Sequence, residues 1–317
     1  MVEKKTEERL KAVQEILGEH RPMTVRQLYY QLVSRQVIEN KRTMYQATSK
    51  LLVEARQDWI IPWEWIEDRL RRPRRPSMWS GIPSFARMVE HAYRRNIFMP
   101  MADWNGNTEK GVDDTFPERA EQGMKTAPDF LQKKLIQVWL EKDALSGIFE
   151  DELAPYGVTL HVGRGFTSWT SLKKMTDEWF RWEHYNGPAF KNYCTDIILL
   201  CFSDFDPSGW FMIDDLQTRL NFFTASPQII RCALLPEDID EYNLPQDFAK
   251  SSDNRKPAFI KQHGDVSVEL DALPVDILRE KIQDALHDHM NMDAWENVKK
   301  LETEERKRIK EALGRIT

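Results

Sequence analysis

The sequence predicts an α/β protein in which a helical N-terminal domain precedes a mostly parallel α/β domain. The first hundred residues carry apolar side chains at helical spacing, and the second half carries short apolar runs separated by segments of helical length. The two parts also differ in charge, because residues 21–95 in the first part hold 15 Lys and Arg against 7 Asp and Glu. We therefore expect one domain over residues 1–104, a polar linker over 105–129 and a second domain over 130–317.

Two helices are predicted at the start of the chain. The apolar stripe of residues 10–17 ends at Gly18, which occupies the position of a glycine that terminates a helix. Thr24 followed by Gln27 is a capping-box pattern and predicts the start of a second helix.

A third helix and a wing are expected next. Thr43 and Gln46 repeat the capping-box pattern, and the Trp-rich segment 59–66 follows. Three short helices with such a segment indicate a helix-turn-helix with a wing, which is the arrangement of a DNA-binding domain.

Four strands are predicted in the second half of the chain. The apolar runs are Leu135–Leu140, Val158–Val162, Ile197–Phe202 and Gln228–Leu235. Since segments of helical length separate these runs, the strands are expected to lie parallel in one sheet. The charged tail over 274–316 is expected to be helical.

Composition restricts the setting of the protein. No run approaches the ~18 uncharged apolar residues of a membrane span, and the charged segment Met1–Leu10 lacks the apolar core of a signal peptide. The three cysteines, Cys194, Cys201 and Cys232, have no metal-ligand spacing and are expected to be reduced thiols, so the cytoplasm is the expected location.

Charge gives two opposite indications about a nucleic-acid partner. The net charge of the 317 residues is −6, which by itself argues against one. The net charge of residues 21–95 is +8, and this asymmetry predicts a basic surface on the first domain. Uneven solvated surface charge is the alternative.

Carboxylates follow two of the predicted strands. Glu141 comes directly after the first strand, and Asp204 and Asp206 come after the third. Because chemistry in such sheets lies at the carboxyl ends of the strands, these acids are expected to converge into an oxygen-rich site suited to Mg²⁺. The alternative for the two aspartates is a turn or a helix cap, and Ser208 is another candidate cap for the following helix.

A tyrosine on the second predicted helix is a candidate nucleophile. At about 100° per residue, Tyr29 lies on the apolar face, whereas Tyr30 falls off that face and is expected to point outward beside Arg26. A phenol in that setting is able to attack a phosphodiester whose phosphate the guanidinium holds. On periodicity alone, a partly exposed surface tyrosine is the simpler interpretation, and Tyr45 is interpreted as a packing residue.

Four motifs together resemble a known family. Residues 141–144 read Glu-Lys-Asp-Ala and residues 204–209 read Asp-Phe-Asp-Pro-Ser-Gly, a pair similar to the Toprim domain of topoisomerases and primases. Residues 163–167 read Gly-Arg-Gly-Phe-Thr, similar to a turn of that domain in which proline is common at the last position. Residues 26–30 read Arg-Gln-Leu-Tyr-Tyr, which resembles the tyrosine motif of the topoisomerase VI A subunit and the related meiotic double-strand-break transesterases.

This resemblance, which for the Toprim part covers about residues 130–240, implies a fold, a reaction and partners. It implies a winged-helix domain ahead of the Toprim domain, with Tyr30 as the nucleophile and Arg26 as its phosphate-binding neighbour. The tyrosine becomes joined to the 5′ end of a broken DNA strand, and the three strand-end acids hold one or two Mg²⁺ ions. The resemblance further implies a nucleoid-associated homodimer in which tyrosine and acids come from different subunits. It leaves two alternatives open, a separate ATPase subunit of the B type or a stand-alone form that cleaves or nicks DNA without ATP-driven strand passage.

Two further segments carry clustered charged side chains. A proline-broken stretch is expected to run as an extended arm along DNA phosphates, with a solvated charge run as the alternative; its arginines are Arg69, Arg71, Arg72, Arg74 and Arg75. The strand-like run Val268–Leu273 carries Glu269 and Asp271 on one face, and edge-strand solubility is favoured there over an additional metal ligand.

Two other functions remain open. A Toprim nuclease of the kind that restricts plasmids or phages would cut DNA with water and metal, and Tyr30 would then be structural. A non-catalytic DNA-binding protein would use the winged helix alone, although binding gives no reason to gather carboxylates near DNA. The sequence contains no glycine-rich loop ending in Lys-Ser or Lys-Thr, so ATP hydrolysis is not expected.

Overall fold

A computed structural model describes residues 2–66, 82–93, 132, 134–163, 169–179, 196–223, 225–246 and 255–314. Over these residues the chain is a mixed α/β structure with a four-stranded, all-parallel sheet. The predicted α/β class is therefore confirmed. The expected linker over 105–129 lies outside the described residues, and the division into domains stays a prediction.

Helices precede the sheet, and they are α1 (Val2–His20), α2 (Val25–Ser34), α3 (Arg42–Gln57) and α4 (Ile82–Ala92). The predicted capping box opens α2, because the Gln27 backbone N–H donates to Thr24 Oγ1 at 3.2 Å and the Thr24 N–H donates to Gln27 Oε1 at 2.9 Å. The predicted end of α1 is wrong. This helix continues past Gly18 and stops before the Arg21-Pro22 peptide, since a residue that precedes proline disfavours the helical conformation.

The predicted start of α3 is also wrong. The Lys41 carbonyl accepts hydrogen bonds from the backbone N–H groups of Met44 and Tyr45, so the first turn closes on Lys41. Thr43 consequently lies inside the first turn and does not occupy the cap position.

The expected wing is not formed by residues 59–66. These residues form a turn and the short 3₁₀ helix Trp63–Trp65. A single parallel bridge joins Met23 to Ile66, with the Met23 N–H donating to the carbonyl of the residue before Ile66 at 3.1 Å. The segment therefore closes back onto the entrance to α2.

The sheet confirms the four predicted apolar runs. Its strands are β1 (Lys134–Leu140), β2 (Thr159–Val162), β3 (Asp196–Phe202) and β4 (Gln228–Ala233). The strand order is β2-β1-β3-β4, and all neighbouring strands are parallel. Leu140 of β1 is in register with Val162 of β2 and Phe202 of β3, so three strands end at the same level and their following residues lie along one edge.

Helices cover the sheet, and the remaining described helices are α5 (Ser146–Leu153), α6 (169–179), α7 (Pro207–Phe222), α8 (Pro236–Glu241), α9 (Lys256–His263), α10 (Val275–His287) and α11 (Met292–Gly314). Trp139 and Phe202 are fully buried in the sheet, as expected for parallel strands covered on both faces. The tail is helical as predicted. None of the described helices is long and apolar enough to cross a membrane.

The N-terminal helices pack directly against the α/β part. Helix α4 lies against α11, where the Tyr93 hydroxyl donates to Glu305 at 2.5 Å and the Arg306 guanidinium donates to the Tyr93 carbonyl at 2.7 Å. Helix α2 lies against the short 3₁₀ helix Leu270–Ala272. This second contact brings the candidate tyrosine to the carboxyl edge of the sheet.

Candidate functional site

The strand-end acids Glu141 and Asp204 are direct neighbours. The aligned ends of β1 and β3 continue in parallel, with the Glu141 N–H donating to the Phe202 carbonyl at 3.0 Å. Two residues after Phe202, the Asp204 N–H donates to Glu141 Oε2 at 3.0 Å. The side chain of one acid is thus fixed by the backbone of the other.

Asp206 is held at the start of α7. Its Oδ1 accepts a hydrogen bond from the Gly209 N–H at 2.7 Å, so Asp206 is the N-cap of the helix and Ser208 is not. The interpretation of an aspartate here as a helix cap is therefore correct for Asp206. The Asp206 charge is one of the influences that raise the pKa of Glu141.

Gly209 permits the close approach of these groups. A Cβ atom at this position would clash with the Asp204 carbonyl oxygen and would lie 3.1 Å from Glu141 Oε2. The residue is glycine because α7 begins against the backbone that carries the two acids.

The acids repel one another. The pKa of Glu141 is raised to about 7, first by burial and then by the charges of Asp204 and Asp206, against the opposing effects of the Asp204 N–H and the Lys142 ammonium. Burial likewise raises the pKa of Asp204 to about 6, against the opposing effect of the Lys142 ammonium.

Lys142 is the cation of the cluster. Its Nζ lies 2.6 Å from Asp271 Oδ2, 2.8 Å from Glu269 Oε2 and 3.0 Å from Asp204 Oδ1. Only 14% of the Lys142 side chain is exposed, and the three carboxylates hold its pKa above the ordinary value despite burial. Three elements of the α/β part therefore meet at one ammonium group.

Glu269 and Asp271 are site residues that were assigned wrongly from the sequence. Residues 268–273 do not form an edge strand. Val268 makes a single antiparallel bridge with Phe205, through two hydrogen bonds of 2.9 Å, and the chain then turns into the 3₁₀ helix. The Leu270 N–H donates to Asp204 Oδ1 at 2.8 Å, which places the two flanking acids around Lys142. Lys142 itself was the available signal, because a lysine two residues after a buried strand needs carboxylate partners if its ammonium is buried.

The prediction that Tyr30 points outward is wrong. Tyr30 is 8% exposed, because the 3₁₀ helix covers the face that an isolated α2 would present to water. Tyr29 is buried as predicted and donates its hydroxyl to Asn40 Oδ1 at 3.0 Å. Tyr45 packs against Tyr29, with ring centroids 5.4 Å apart, in agreement with the packing role assigned to it.

Arg26 lies beside Tyr30 as predicted, and both residues interact with Glu269. The Arg26 guanidinium donates to Glu269 Oε1 at 2.6 Å, and the Tyr30 hydroxyl interacts with both Arg26 and Glu269. Burial raises the pKa of Tyr30, the Glu269 charge raises it further, and Arg26 and Lys142 oppose the shift. The phenol is consequently held in its neutral form.

The structure thus brings five sequence-predicted residues into one charge network of a single chain. Tyr30 and Arg26 connect through Glu269 to Lys142, and Lys142 pairs with Asp204. The Asp204 N–H in turn donates to Glu141, on which the charge of Asp206 also acts. The arginine arm of residues 69–75 lies outside the described residues. The same holds for positions 164–167 of the Gly-Arg-Gly-Phe turn.

The chemistry of the strand-end acids suits a hard divalent cation. Each carboxylate accepts a backbone N–H at one oxygen, and the three groups supply oxygen atoms in a partly buried space. Over the described residues, however, no group of three or more His, Cys, Asp and Glu side chains is arranged so that it could hold a metal ion. Lys142 holds Asp204, and the cap of α7 holds Asp206.

Fold and site together define an α/β protein with a carboxylate cluster at the carboxyl edge of a parallel sheet and a buried tyrosine beside that cluster. Comparison with protein-family models, with curated proteins and with solved structures found no match for this chain.

Proposed function

We propose that this chain cleaves DNA by tyrosine transesterification, with a winged-helix domain ahead of a Toprim domain. The observation that carries the proposal is the single network that joins Tyr30 and Arg26 to the acids that follow β1 and β3. Neither a parallel sheet nor a buried tyrosine alone indicates this chemistry. A tyrosine and a guanidinium joined through Glu269 and Lys142 to strand-end carboxylates supply the nucleophile and the charged groups that attack on a phosphodiester uses.

In the proposed reaction the Tyr30 oxygen loses its proton and forms a bond to phosphorus. The bond from phosphorus to the 3′ oxygen breaks, the 3′ oxygen takes up a proton, and the tyrosine stays joined to the 5′ end of the strand. Arg26, whose side chain is 47% exposed, is able to donate to the phosphate while it remains paired with Glu269. Resealing is the reverse of this step, so no external energy source is needed for it.

Mg²⁺ is proposed to bind Glu141, Asp204 and Asp206. A bound divalent ion would stabilise the negative charge that develops on the phosphoryl oxygens. The mutual repulsion of Glu141 with its two neighbours supports this assignment, because a cation placed among them would offset the carboxylate charges that, after burial, raise the Glu141 pKa.

The remaining partners belong to the same proposal. Double-stranded DNA is the substrate, and the arginine arm, whose residues are Arg69, Arg71, Arg72, Arg74 and Arg75, contacts its phosphates. The resemblance to the topoisomerase VI A subunit adds a homodimer and a nucleoid-associated location in the cytoplasm. It also adds either a separate ATPase subunit of the B type or a stand-alone form that works without one.

One observation favours a second candidate function, a Toprim nuclease that acts through water. Tyr30 is 8% exposed and interacts with Glu269, as a structural tyrosine would. In that case the strand-end acids cut DNA, and Tyr30 only holds α2 against the 3₁₀ helix.

The test is to incubate supercoiled plasmid with protein and Mg²⁺, stop the reaction with denaturant and measure protein covalently attached to DNA ends. We expect an adduct in wild type, a loss of roughly 1000-fold or more in Tyr30→Phe and Asp204→Asn, and near wild-type yield in the control Tyr45→Phe. Cleavage that survives Tyr30→Phe but disappears in Asp204→Asn would establish the nuclease instead. Binding without cleavage in any variant would leave only a DNA-binding protein.

A further inference from the structure

Large apolar side chains are exposed together at the end of α3. They are Val53, Trp59, Ile60 and Trp63, and we call them the α3 patch. Trp59 is 80% exposed and Trp63 is 47% exposed, although tryptophan is largely buried in most proteins. Both tryptophans adjoin Arg56, whose carbonyl accepts the Trp59 N–H at 3.2 Å and whose guanidinium lies 4.9 Å from the centre of the Trp63 ring. Exposed apolar surface concentrated in this way indicates an interaction site.

The backbone at Trp59 adds a second observation. Helix α3 ends in a motif in which the Ile60 N–H donates to the Ala55 carbonyl at 2.9 Å and the Trp59 N–H donates to the Arg56 carbonyl. This motif needs a left-handed residue at its centre, and Trp59 has a φ of 58°. Glycine is the usual residue there, because a bulky side chain is strained in this conformation.

Two other described helices end in the same motif with a different kind of residue at its centre. Gln36 follows α2 with a φ of 57°, and Asn243 follows α8 with a φ of 47°; both are exposed polar residues. Trp59 alone of the three is aromatic, and it makes no ring contact with the rest of the described chain. Burial within its own chain therefore does not offset the strain, so a contact outside the chain is the expected compensation.

The charges around the α3 patch indicate what makes that contact. Arg56, Asp58 and Glu64 flank the patch, and the Arg21 guanidinium lies over the Trp65 ring at 4.5 Å. Within the described structure none of these four charged groups forms an ion pair. Two cations with two acids suit a nucleic-acid backbone poorly, since phosphates need an excess of cations. The same set is complementary to itself when a two-fold axis places the arginines of one copy opposite the acids of the other.

We propose that the α3 patch is the contact between two copies of this chain, related by a two-fold axis. This inference rests on the homodimer of the proposed function and names the surface through which it forms. A fully buried tryptophan covers about 150–250 Å², so Trp59 and Trp63 offer roughly 200–300 Å² of apolar surface per copy. That area fits the apolar centre of an interface of ~800 Å² per partner with a polar rim.

Sedimentation of the full chain over a range of concentrations, without DNA, tests the surface. We expect a dimer in wild type and a dissociation constant raised about 30-fold or more in Trp59→Gly, because a central tryptophan dominates such contacts. The matched control is Gln36→Gly, which makes the same backbone change in the same motif and is expected to keep the dimer. Measured on monomers, both variants are expected to unfold at a urea concentration no lower than wild type, so lost dimerisation in Trp59→Gly would not reflect misfolding.

A charge exchange tests the two-fold arrangement. Arg56→Glu makes the edge of the patch acidic, whereas Asp58→Arg with Glu64→Arg makes it basic. Each chain alone is expected to dimerise at least 10-fold more weakly than wild type, because like charges face each other. Mixing the two chains is expected to restore the dimer, since opposite charges then meet at both halves of the contact.

A monomer in wild type, or no recovery on mixing the exchanged chains, would overturn the proposal. A dimer equally strong in wild type and Trp59→Gly would also overturn it, while the homodimer of the proposed function would remain. A monomeric wild type whose DNA binding weakens in Trp59→Gly would assign the patch to DNA instead. A dimer that depends on Trp59 but forms no covalent DNA adduct would support this surface and count against the transesterification.

Discussion

Tyr30 is held as a neutral phenol by the residues that adjoin it. Burial and the Glu269 carboxylate raise its pKa, and only the Arg26 and Lys142 charges act in the opposite direction. The pKa of Tyr30 therefore depends on how strongly Arg26 and Lys142 are paired with the Glu269 carboxylate. Under the proposed reaction, a phosphate that draws Arg26 towards itself would change this pKa.

Gly209 offers a test of the close packing beneath the acids. Gly209→Ala places a methyl group against the Asp204 carbonyl, and we expect it to lower the free energy of unfolding by about 1–3 kcal/mol. Urea denaturation measures this change.

The control for that substitution is Gly18→Ala. Gly18 lies on the exposed side of α1 with nothing within 4 Å of an added Cβ, so alanine there is expected to raise stability by about 0.5–1 kcal/mol. Equal effects at the two glycines would show that Gly209 is not required for the approach of α7.

Sequence reasoning placed the site residues but not their surroundings. Helical spacing correctly located Tyr30 one turn from Arg26, because spacing within a helix is a local property. It failed on exposure, since the element that buries Tyr30 lies about 240 residues away, at positions 270–272. The partners of Lys142 were missed for the same reason.

At the scale of elements, side-chain contacts join β2 to β1 in addition to the backbone hydrogen bonds between the two strands. Gln137 of β1 accepts a hydrogen bond from Trp179 of α6 at 2.7 Å and lies 2.8 Å from His161 Nε2 of β2. Since the Gln137 Oε1 atom only accepts, His161 donates through Nε2. Burial lowers the pKa of His161 to about 4.

This histidine predicts a pH dependence of stability. The unfolded chain takes up a proton near pH 6.5, whereas the folded chain takes it up only near pH 4, so stability is present above 6.5 and is lost as pH falls towards 4. We expect the difference between wild type and His161→Gln to change by up to about 3 kcal/mol across that window. Urea titrations at several pH values measure both stabilities. A difference between wild type and His161→Gln that stays constant with pH would contradict the prediction.

The elements themselves were mostly predictable. Apolar runs of strand length located all four strands, because a parallel sheet buries both faces of each strand. Errors fell on the ends of α1 and α3, which were misplaced by two residues, and on a segment whose structure depends on distant contacts. Residues 268–273 were predicted as a strand, yet within the described part of the chain they form one bridge, to Phe205, before the 3₁₀ helix.

At the scale of the whole molecule, one chain supplies both halves of the proposed site. Helix α2 brings Tyr30 to acids of the same chain, whereas the resemblance to the topoisomerase VI A subunit implies acids from a partner subunit. The two arrangements differ in which chain must carry which residue.

Mixing inactive chains distinguishes these arrangements. Tyr30→Phe and Asp204→Asn chains with different tags are co-expressed, and mixed assemblies are purified through both tags. A site within one chain predicts no more covalent DNA adduct than either variant gives alone. Recovery of a substantial fraction of wild-type adduct would show that the tyrosine acts on the partner's acids.

The bridge between Phe205 and Val268 also determines where the chain can be divided. Glu141, Asp204 and Asp206 all lie before residue 207, and a fragment chosen by those acids alone would end soon after β4. Such a fragment would lack the N–H that holds Asp204 and two of the three carboxylates that hold Lys142. The smallest useful fragment of the α/β part therefore extends at least to Leu273, well past its last strand.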